Sequence, residues 1–406
     1  MGAIGRLFQK GVCTDHGRNR KTLRETAAAG GIVLALAVWA MALSAGWVGF
    51  TYLGYPILLG ILARWAPRPV ERGDVTPSVT VIVAVHNGEV ELPKKLENTL
   101  SSEYPGQLQV IIASDHSTDG TEAIALACLD NRVTLVINSA DRGKESAQAA
   151  ALRDAVGEIV VFTDVSAELA PDALRCIVQP FFDPRVGSVS SEDEVAGDGG
   201  EGAYVRYEMA LRRMENVSGG LIGLSGSFFA VRRSLCDTWP TDLASDFRTA
   251  LETARRGYRA ISEPTAKASF KAVEDAAAEW PRKVRTVRRG IAVLFAYRDL
   301  LHPRYGRVAL SLWGHKVMRF TSPLALILLL LTNALAALES PLARWGLFVQ
   351  AAFYGMGAVA LGSLRVQRML LPRLAGFFIL VNASMLVAWF YHLSGQRSVQ
   401  WQPTRR

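Results

Sequence analysis

Cysteine and histidine, the residues that build compact metal and thiol sites, are scarce in this chain. Its 406 residues include four cysteines and six histidines. Cys13, Cys128, Cys176 and Cys236 form no CxxC pair, and none lies near clustered histidines. That spacing argues against a zinc site and against a disulfide framework, and it fits idle or buried thiols in a reducing compartment. No cleavable signal peptide is expected. The first apolar run starts near Gly30, behind a polar and basic stretch, and is far longer than a signal core. No internal repeat is visible.

What the chain has in abundance is apolar residues. Half of it is hydrophobic and the mean hydropathy is positive, so membrane segments are the first expectation. The net charge is +8. The basic residues crowd the edges of apolar segments, which makes a lipid bilayer the expected partner and leaves nucleic acid out. Residues 1–29 read as a basic tail carrying Arg6, Lys10, Arg18, Arg20, Lys21 and Arg24. Residues 30–66 form an N-terminal membrane segment, uncharged from Gly31 until Arg64. One long helix, tilted or bent near Gly54-Tyr55-Pro56, is preferred there over two crossings. Residues 67–305 form a soluble domain, 306–321 an amphipathic helix lying in the interface or packing on the core, 322–392 three crossings, and 393–406 a tail. Arg365, Arg368 and Arg373 put the last loop inside. Counting back two crossings puts the soluble domain in the cytoplasm of a multi-pass inner-membrane protein. The basic N-terminal tail pulls the other way, and two N-terminal crossings would accommodate it.

The soluble part alternates β-rich runs with helical stretches. Strands are expected at Ser78–Val85, Leu108–Ser114, Val133–Asn138 and Glu158–Thr163, with helices between them at Glu89–Glu103, Asp119–Asp130 and Gly143–Val156. This βαβαβαβ order predicts an α/β fold with a mainly parallel sheet and helices on both faces. Ligands bind such sheets at the carboxyl ends of the strands.

The polar residues of interest sit at those ends. His86-Asn87-Gly88-Glu89 follows the first strand and reads as a nucleotide-holding turn or an ordinary one. Asp115 ends the second strand, where a carboxylate can accept from a base N–H, whereas Asp119 reads mainly as a helix cap. Asp164 ends the fourth strand, either as a cap or as a ligand for a divalent cation bridging a diphosphate. Asp246 opens a later helix as a cap or as a general base, with Glu252 and Glu263 as rivals. Arg282, Arg285 and Arg289 share one helical face, suited to a pyrophosphate or to lipid headgroups.

Together these segments, from about Pro77 to Arg289, resemble family 2 glycosyltransferases with the GT-A fold, in the family's motif order. Val85-His86-Asn87-Gly88-Glu89 resembles the first nucleotide-binding turn. Ser114-Asp115-His116-Ser117-Thr118-Asp119-Gly120-Thr121 resembles the second, in which Asp115 contacts the base. The resemblance implies that Lys144 touches the nucleotide and that Asp164 occupies the DxD position with Mg2+ or Mn2+. It implies that Gly226 and Ser227 lie on the acceptor strand, that Asp246 is the catalytic base, and that Arg285, Arg288 and Arg289 belong to the region facing the leaving group. The implied activity is inverting transfer from a nucleotide sugar, by default a uridine diphosphate sugar, to a polysaccharide or lipid-linked acceptor. Other membrane proteins of polysaccharide synthesis are implied partners. Ser166 replaces the second DxD carboxylate, Thr286 stands where processive synthases carry tryptophan, and His116 replaces a small residue. With only three later crossings, these features resemble the shorter exopolysaccharide and lipid-linked-sugar branch. The alternatives are a polyprenyl-phosphate sugar transferase and an inactive scaffold beside a synthase.

Overall fold

The computed structural model describes residues 31–32, 34–196, 202–271 and 276–396. The expected basic tail at 1–29 and positions 397–406 of the expected C-terminal tail lie outside them. Two compact units divide the chain, Met1–Tyr52 with Thr321–Ala383 and Leu53–Phe320 with Ser384–Arg406. The first long element, α1 (Leu34–Trp65), is a single helix of 32 residues. A π-helical turn at Phe50–Gly54 precedes Pro56. Widened turns and prolines are where helices bend, and both fall near the Gly54-Tyr55-Pro56 position singled out in the sequence.

The sheet lies in the larger unit. β1 (Val79–Val85), β2 (Leu108–Ser114), β3 (Val133–Ile137) and β4 (Ile159–Asp164) fall within one or two residues of the expected strands. They pair in parallel, β1 between β2 and β4, with β3 outside β2. The other half is mixed. β7 (Phe228–Arg232) runs antiparallel to β4 and to β6 (Val186–Ala196). β6 lies parallel to β8 (Arg259–Lys271), which carries the short β5 (Glu168–Leu169) antiparallel at the edge. The order is β3-β2-β1-β4-β7-β6-β8-β5.

Every residue of β1 is buried, the signature of a strand covered on both faces. Val79, Val81, Val83 and Val85 point into one core with Leu92 and Leu96 of α2 (Leu92–Leu100). Ile82 points the other way, to a core shared with Ile111, Phe162, and Ala147 and Ala151 of the third crossover helix. Each such aliphatic side chain contributes about 1.5–3 kcal/mol on burial. The crossover helices are α2, α3 (Thr121–Ala127) and α4 (Lys144–Leu152). Gly157 turns the chain into β4, where an added Cβ would lie 2.4 Å from the Thr80 nitrogen. Then come α5 (Ala173–Val178), α6 (Gly202–Ser218), α7 (Ser245–Arg255) and α8 (Ala276–Ala296).

α9 (Arg307–Ala336), α10 (Pro341–Gly362) and α11 (Leu370–Leu393), like α1, are long and apolar enough to cross a membrane. In α1, Trp39 and Leu43 are 70% and 72% exposed; rows of such side chains suit lipid rather than water. α10 and α11 approach closely at small residues: a Cβ on Gly357 would lie 2.9 Å from the Ala375 oxygen. Positions 307–321 of the amphipathic helix expected at 306–321, as an interfacial or a core-packed element, are the first half of α9. Two of its polar residues are buried and paired: His315 meets Glu215 at 2.7 Å and Glu208 at 3.2 Å, and Arg319 pairs with Glu208. Tyr55 donates to Glu215 as well (2.7 Å). Packing against α6 therefore accounts for these polar residues.

Candidate active site

The loops after β1 and β2 are tied to each other by their own polar residues. Thr118 N–H donates to Asn87 Oδ1 (2.7 Å), and Asn87 N–H to Ser117 Oγ (3.1 Å). Gly88 N–H reaches Thr121 Oγ1 (2.8 Å), Glu89 N–H reaches Asp119 Oδ2 (3.1 Å), and Gly120 N–H reaches Glu89 Oε2 (2.6 Å). Asn87 and Glu89 thus spend their side chains on backbone amides of the second loop. Asn87 and His116 hold positive φ, 52° and 54°. Single non-glycine residues in that region are uncommon and concentrate at functional sites.

Asp115 lies at the floor between these loops, fully buried. Its Oδ1 accepts from Asn138 Nδ2 (2.9 Å) and Gly143 N–H (3.0 Å), and His116 Nδ1 lies 3.3 Å away. Its Oδ2 is buried with no hydrogen-bond partner. A buried unpaired carboxylate oxygen is costly and marks a place for a donor from outside. His86 contacts the Asp115 carbonyl through Nδ1 (2.6 Å) and Arg142 through Nε2. It therefore braces the floor of this pocket.

Gly143 leads directly to Lys144, whose ammonium donates to Asp164 Oδ1 (2.6 Å) and to the Gly226 carbonyl (3.0 Å). Burial alone would lower the pKa of Lys144. Asp164, Glu145 and Asp246 around it raise it above its ordinary value, so it stays charged. Asp246 lies across Gly226: a Cβ on that glycine would sit 3.3 Å from Asp246 Oδ2. The Asp164 amide donates to the Ser227 carbonyl (3.0 Å), and Ser227 Oγ meets Ser225 Oγ at 2.8 Å. Hydrogen bonds thereby link Asp115, by way of the Gly143 amide, with Lys144, Asp164, Gly226 and Ser227, and Asp246 faces Gly226.

The three arginines of α8 divide. Arg289 pairs with Glu145. Arg288 donates to the Gln396 carbonyl and lies over the Tyr391 ring, so the structure does not bring it to the carboxylates. Arg285 makes no hydrogen bond or ion pair among the described residues, and burial together with Arg289 and Arg282 holds its pKa below the ordinary value. Two further residues, Glu145 and Lys95, join the site without any sequence motif to mark them. Glu145, in the first turn of α4, reads as an ordinary complement to the helix dipole. Lys95 sits between Leu92, Leu96 and Thr99 on the buried face of α2, a helical spacing that marks it as inward-facing. It donates to Thr163 Oγ1 (3.0 Å) and the Ala167 carbonyl (2.6 Å), beneath the Asp164 turn.

Among the described residues no group of three or more metal-binding side chains exists. The Asp164 carboxylate is 29% exposed, so the protein offers one accessible ligand. That fits a magnesium-type ion whose other ligands are phosphate oxygens and water.

Comparison with known proteins shows the family and the fold. The family model described as Glycosyl transferase family 2 matches residues 80–239. The beta-monoglucosyldiacylglycerol synthase of Nostoc sp. (strain PCC 7120 / SAG 25.82 / UTEX 2576) is 28% identical over 67% of this chain and 61% of its own length. An N-acetylglucosaminyltransferase of Bradyrhizobium elkanii is 31% identical over 30% of this chain and 69% of its own. This chain spans about half to three fifths of the length of the glycolipid synthases it matches. Among solved structures, a mannosyltransferase from Pyrobaculum calidifontis, in complex with GDP-Man and Mn2+, superposes with a TM-score of 0.68 at 27% identity, over 88% of this chain and 100% of that one.

Proposed function

This chain belongs to glycosyl transferase family 2, and we propose that it transfers one sugar, with inversion, from a nucleotide-sugar donor to a lipid-linked or polysaccharide acceptor at the cytoplasmic face of the inner membrane. The observation that carries this reading is the hydrogen-bonded run from Asp115 through Gly143 and Lys144 to Asp164 and Gly226, with Asp246 facing that glycine. The free oxygen of Asp115 accepts from the donor's base. Lys144 and Arg285 offset charge on the departing nucleoside diphosphate, Arg285 as a guanidinium suited to bidentate phosphate contact. Asp246 takes the proton of the acceptor hydroxyl as that oxygen attacks the anomeric carbon. Asp164 would hold Mg2+ or Mn2+, which supplies charge stabilisation to the diphosphate. The Mn2+ that accompanies GDP-Man in the Pyrobaculum complex supports such an ion.

A lipid acceptor with a hydroxyl is favoured over a lipid phosphate. A phosphate needs no base, whereas here the Asp246 carboxylate faces Gly226, in the bend that leads into β7. The glycolipid synthases among the relatives support the same choice. The donor nucleotide remains a uridine diphosphate by family resemblance, and a guanosine diphosphate sugar is the comparison to run because the Pyrobaculum enzyme was solved with one. The test is incubation of the purified full chain, with Mn2+, on a panel of both donor types. Vesicles containing diacylglycerol, a lipid-linked oligosaccharide or polyprenyl phosphate supply the acceptors. Release of nucleoside diphosphate that depends on a hydroxyl lipid or glycan acceptor supports the reading. Transfer onto polyprenyl phosphate alone reassigns the acceptor, and no release with any pair rejects the enzyme mechanism.

A further inference from the structure

Three consecutive residues at the start of α4 each touch a different functional segment. The Gly143 amide binds Asp115, the Lys144 ammonium binds Asp164 and the Gly226 carbonyl, and the Glu145 carboxylate binds the turn that carries Asp246. The first two contacts belong to the donor side. The third has no part in the mechanism above, yet its carboxylate is nearly fully buried.

Glu145 Oε1 accepts from the Ser245 amide at 3.3 Å, with Ser245 Oγ at 3.5 Å, and pairs with Arg289 of α8. Ser245 immediately precedes Asp246. On the other side, the Asp246 carbonyl accepts from Leu224 N–H at 3.3 Å. Asp246 is therefore gripped from both flanks, by Glu145 before it and by the Gly226 segment after it. The first amides of a helix have no partner inside the helix. α7 has no side-chain cap from its own N-cap residue, Ala244. Glu145 supplies the acceptor that the local sequence does not. A buried carboxylate persists there because a guanidinium neutralises it, and Arg289 reaches it from a third element.

We propose that Glu145, clamped by Arg289, is a positioning residue that fixes the Ser245–Asp246 turn against the donor loop, so that base and donor meet at reacting distance. This rests on the reading of Asp246 as the base. A displacement of about 1 Å in such a group can cost roughly 100-fold in rate. It also gives Arg289 a role distinct from that of Arg285: Arg289 locks the turn, and Arg285 faces the leaving group.

The test compares Glu145→Gln, Glu145→Ala, Arg289→Met, the double variant Glu145→Gln with Arg289→Met, and Asp246→Asn, all as the full chain in detergent. Readouts are kcat, donor KM, and affinity for the nucleoside diphosphate. Glu145→Gln keeps an acceptor oxygen but leaves Arg289 without its counter-charge. We expect kcat to fall about tenfold in Glu145→Gln and about 100-fold in Glu145→Ala, with donor KM and nucleotide affinity changing less than about threefold. The double variant should lose less than the product of the two single losses, because the residues act as one pair. Three results would overturn the proposal. One is full kcat in Glu145→Ala while Asp246→Asn is inactive. Another is loss of nucleotide affinity in step with kcat in Glu145→Gln, which would assign the residue to folding alone. The third is multiplicative losses in the double variant. If Asp246→Asn itself keeps full activity, the base reading fails first, whatever the Glu145 variants do.

Discussion

The donor side and the base side of this site are held in opposite ways. On the donor side, two adjacent loops satisfy each other: Asn87, Glu89, Ser117, Asp119 and Thr121 exchange hydrogen bonds across a gap of about thirty residues. On the base side, the turn at Ser245 is held by Glu145, 100 residues away in sequence, and Glu145 in turn by Arg289, 144 residues further on. The first arrangement is a cradle built at the ends of two neighbouring paired strands, β1 and β2. The second exists only when α4, α7 and α8 have all docked. The lesson is that donor binding and turnover should fail separately.

The largest effect should come from Asp246→Asn. Removing a general base typically costs 10²–10⁴-fold in rate. We expect that loss in kcat, with the donor KM nearly unchanged, measured by steady-state nucleoside diphosphate release. Asp115→Ala should do the reverse. A hydrogen bond to a charged group is worth about 1.5–3 kcal/mol, so donor affinity should weaken roughly 10- to 100-fold while kcat at saturating donor is largely kept. Titration calorimetry with the nucleoside diphosphate separates the two. If both variants lower kcat and raise KM together, the two sides act as one unit and the division is broken.

The same contrast explains what could be read from the sequence. β1 to β4 were legible because runs such as Val79–Val85, apolar except for Thr80, end in polar turns. Asp115, Asp164 and Asp246 stood out because each follows a strand or opens a helix. The mixed half of the sheet was not legible: nothing local in Phe228–Arg232 says that it inserts antiparallel between β4 and β6. Nor does any local signal tie Glu145 to Ser245, since an acidic residue in a helix's first turn has an ordinary explanation. Arg288 and Arg289 are neighbours in sequence, yet α8 points one to Tyr391 and Gln396 and the other to Glu145. A helical wheel separates them, but only the docked partners give each face its meaning. The amphipathic run at 306–321 left an interfacial and a core-packed helix open, because the partners of His315 and Arg319, Glu208 and Glu215, lie on a helix a hundred residues earlier.

Lys95 offers a smaller effect that probes the donor side from beneath. Burial pushes its ammonium down to about 7, against the opposing pull of Asp164 and Glu168. Its ordinary value is 10.5. Between about pH 7 and 10.5 the unfolded chain keeps a proton that the folded chain has released. Stability from this group therefore rises with pH across that window, by at most about 1.4 kcal/mol per pH unit. Below about pH 7 both states hold the proton and the slope vanishes. Lys95→Met removes the titrating group while retaining a long side chain. Thermal unfolding at about pH 7, 8 and 9 should show the parent gaining stability relative to the variant as pH rises. Parallel curves would mean that Lys95 is neutralised by a partner rather than desolvated, and that the Asp164 turn rests on an ion pair instead of a buried base.

The smallest expected effect is at His116, and it sharpens the comparison most finely. Its φ of 54° places it in the left-handed region, which costs an L-residue about 1–2 kcal/mol and glycine essentially nothing. Glycine in turn gives up about 0.5–1 kcal/mol of backbone entropy on folding. His116→Gly should therefore stabilise the chain by about 1 kcal/mol or less, a rise of a few degrees at most in a thermal melt. The imidazole stands 3.3 Å from Asp115 Oδ1, but Asn138 and Gly143 already hold that oxygen. If the donor cradle supports itself, nucleotide affinity in this variant should change by less than about threefold. A tenfold loss would show that the strained histidine touches the donor, and that the loop tolerates an unfavourable backbone in order to present it.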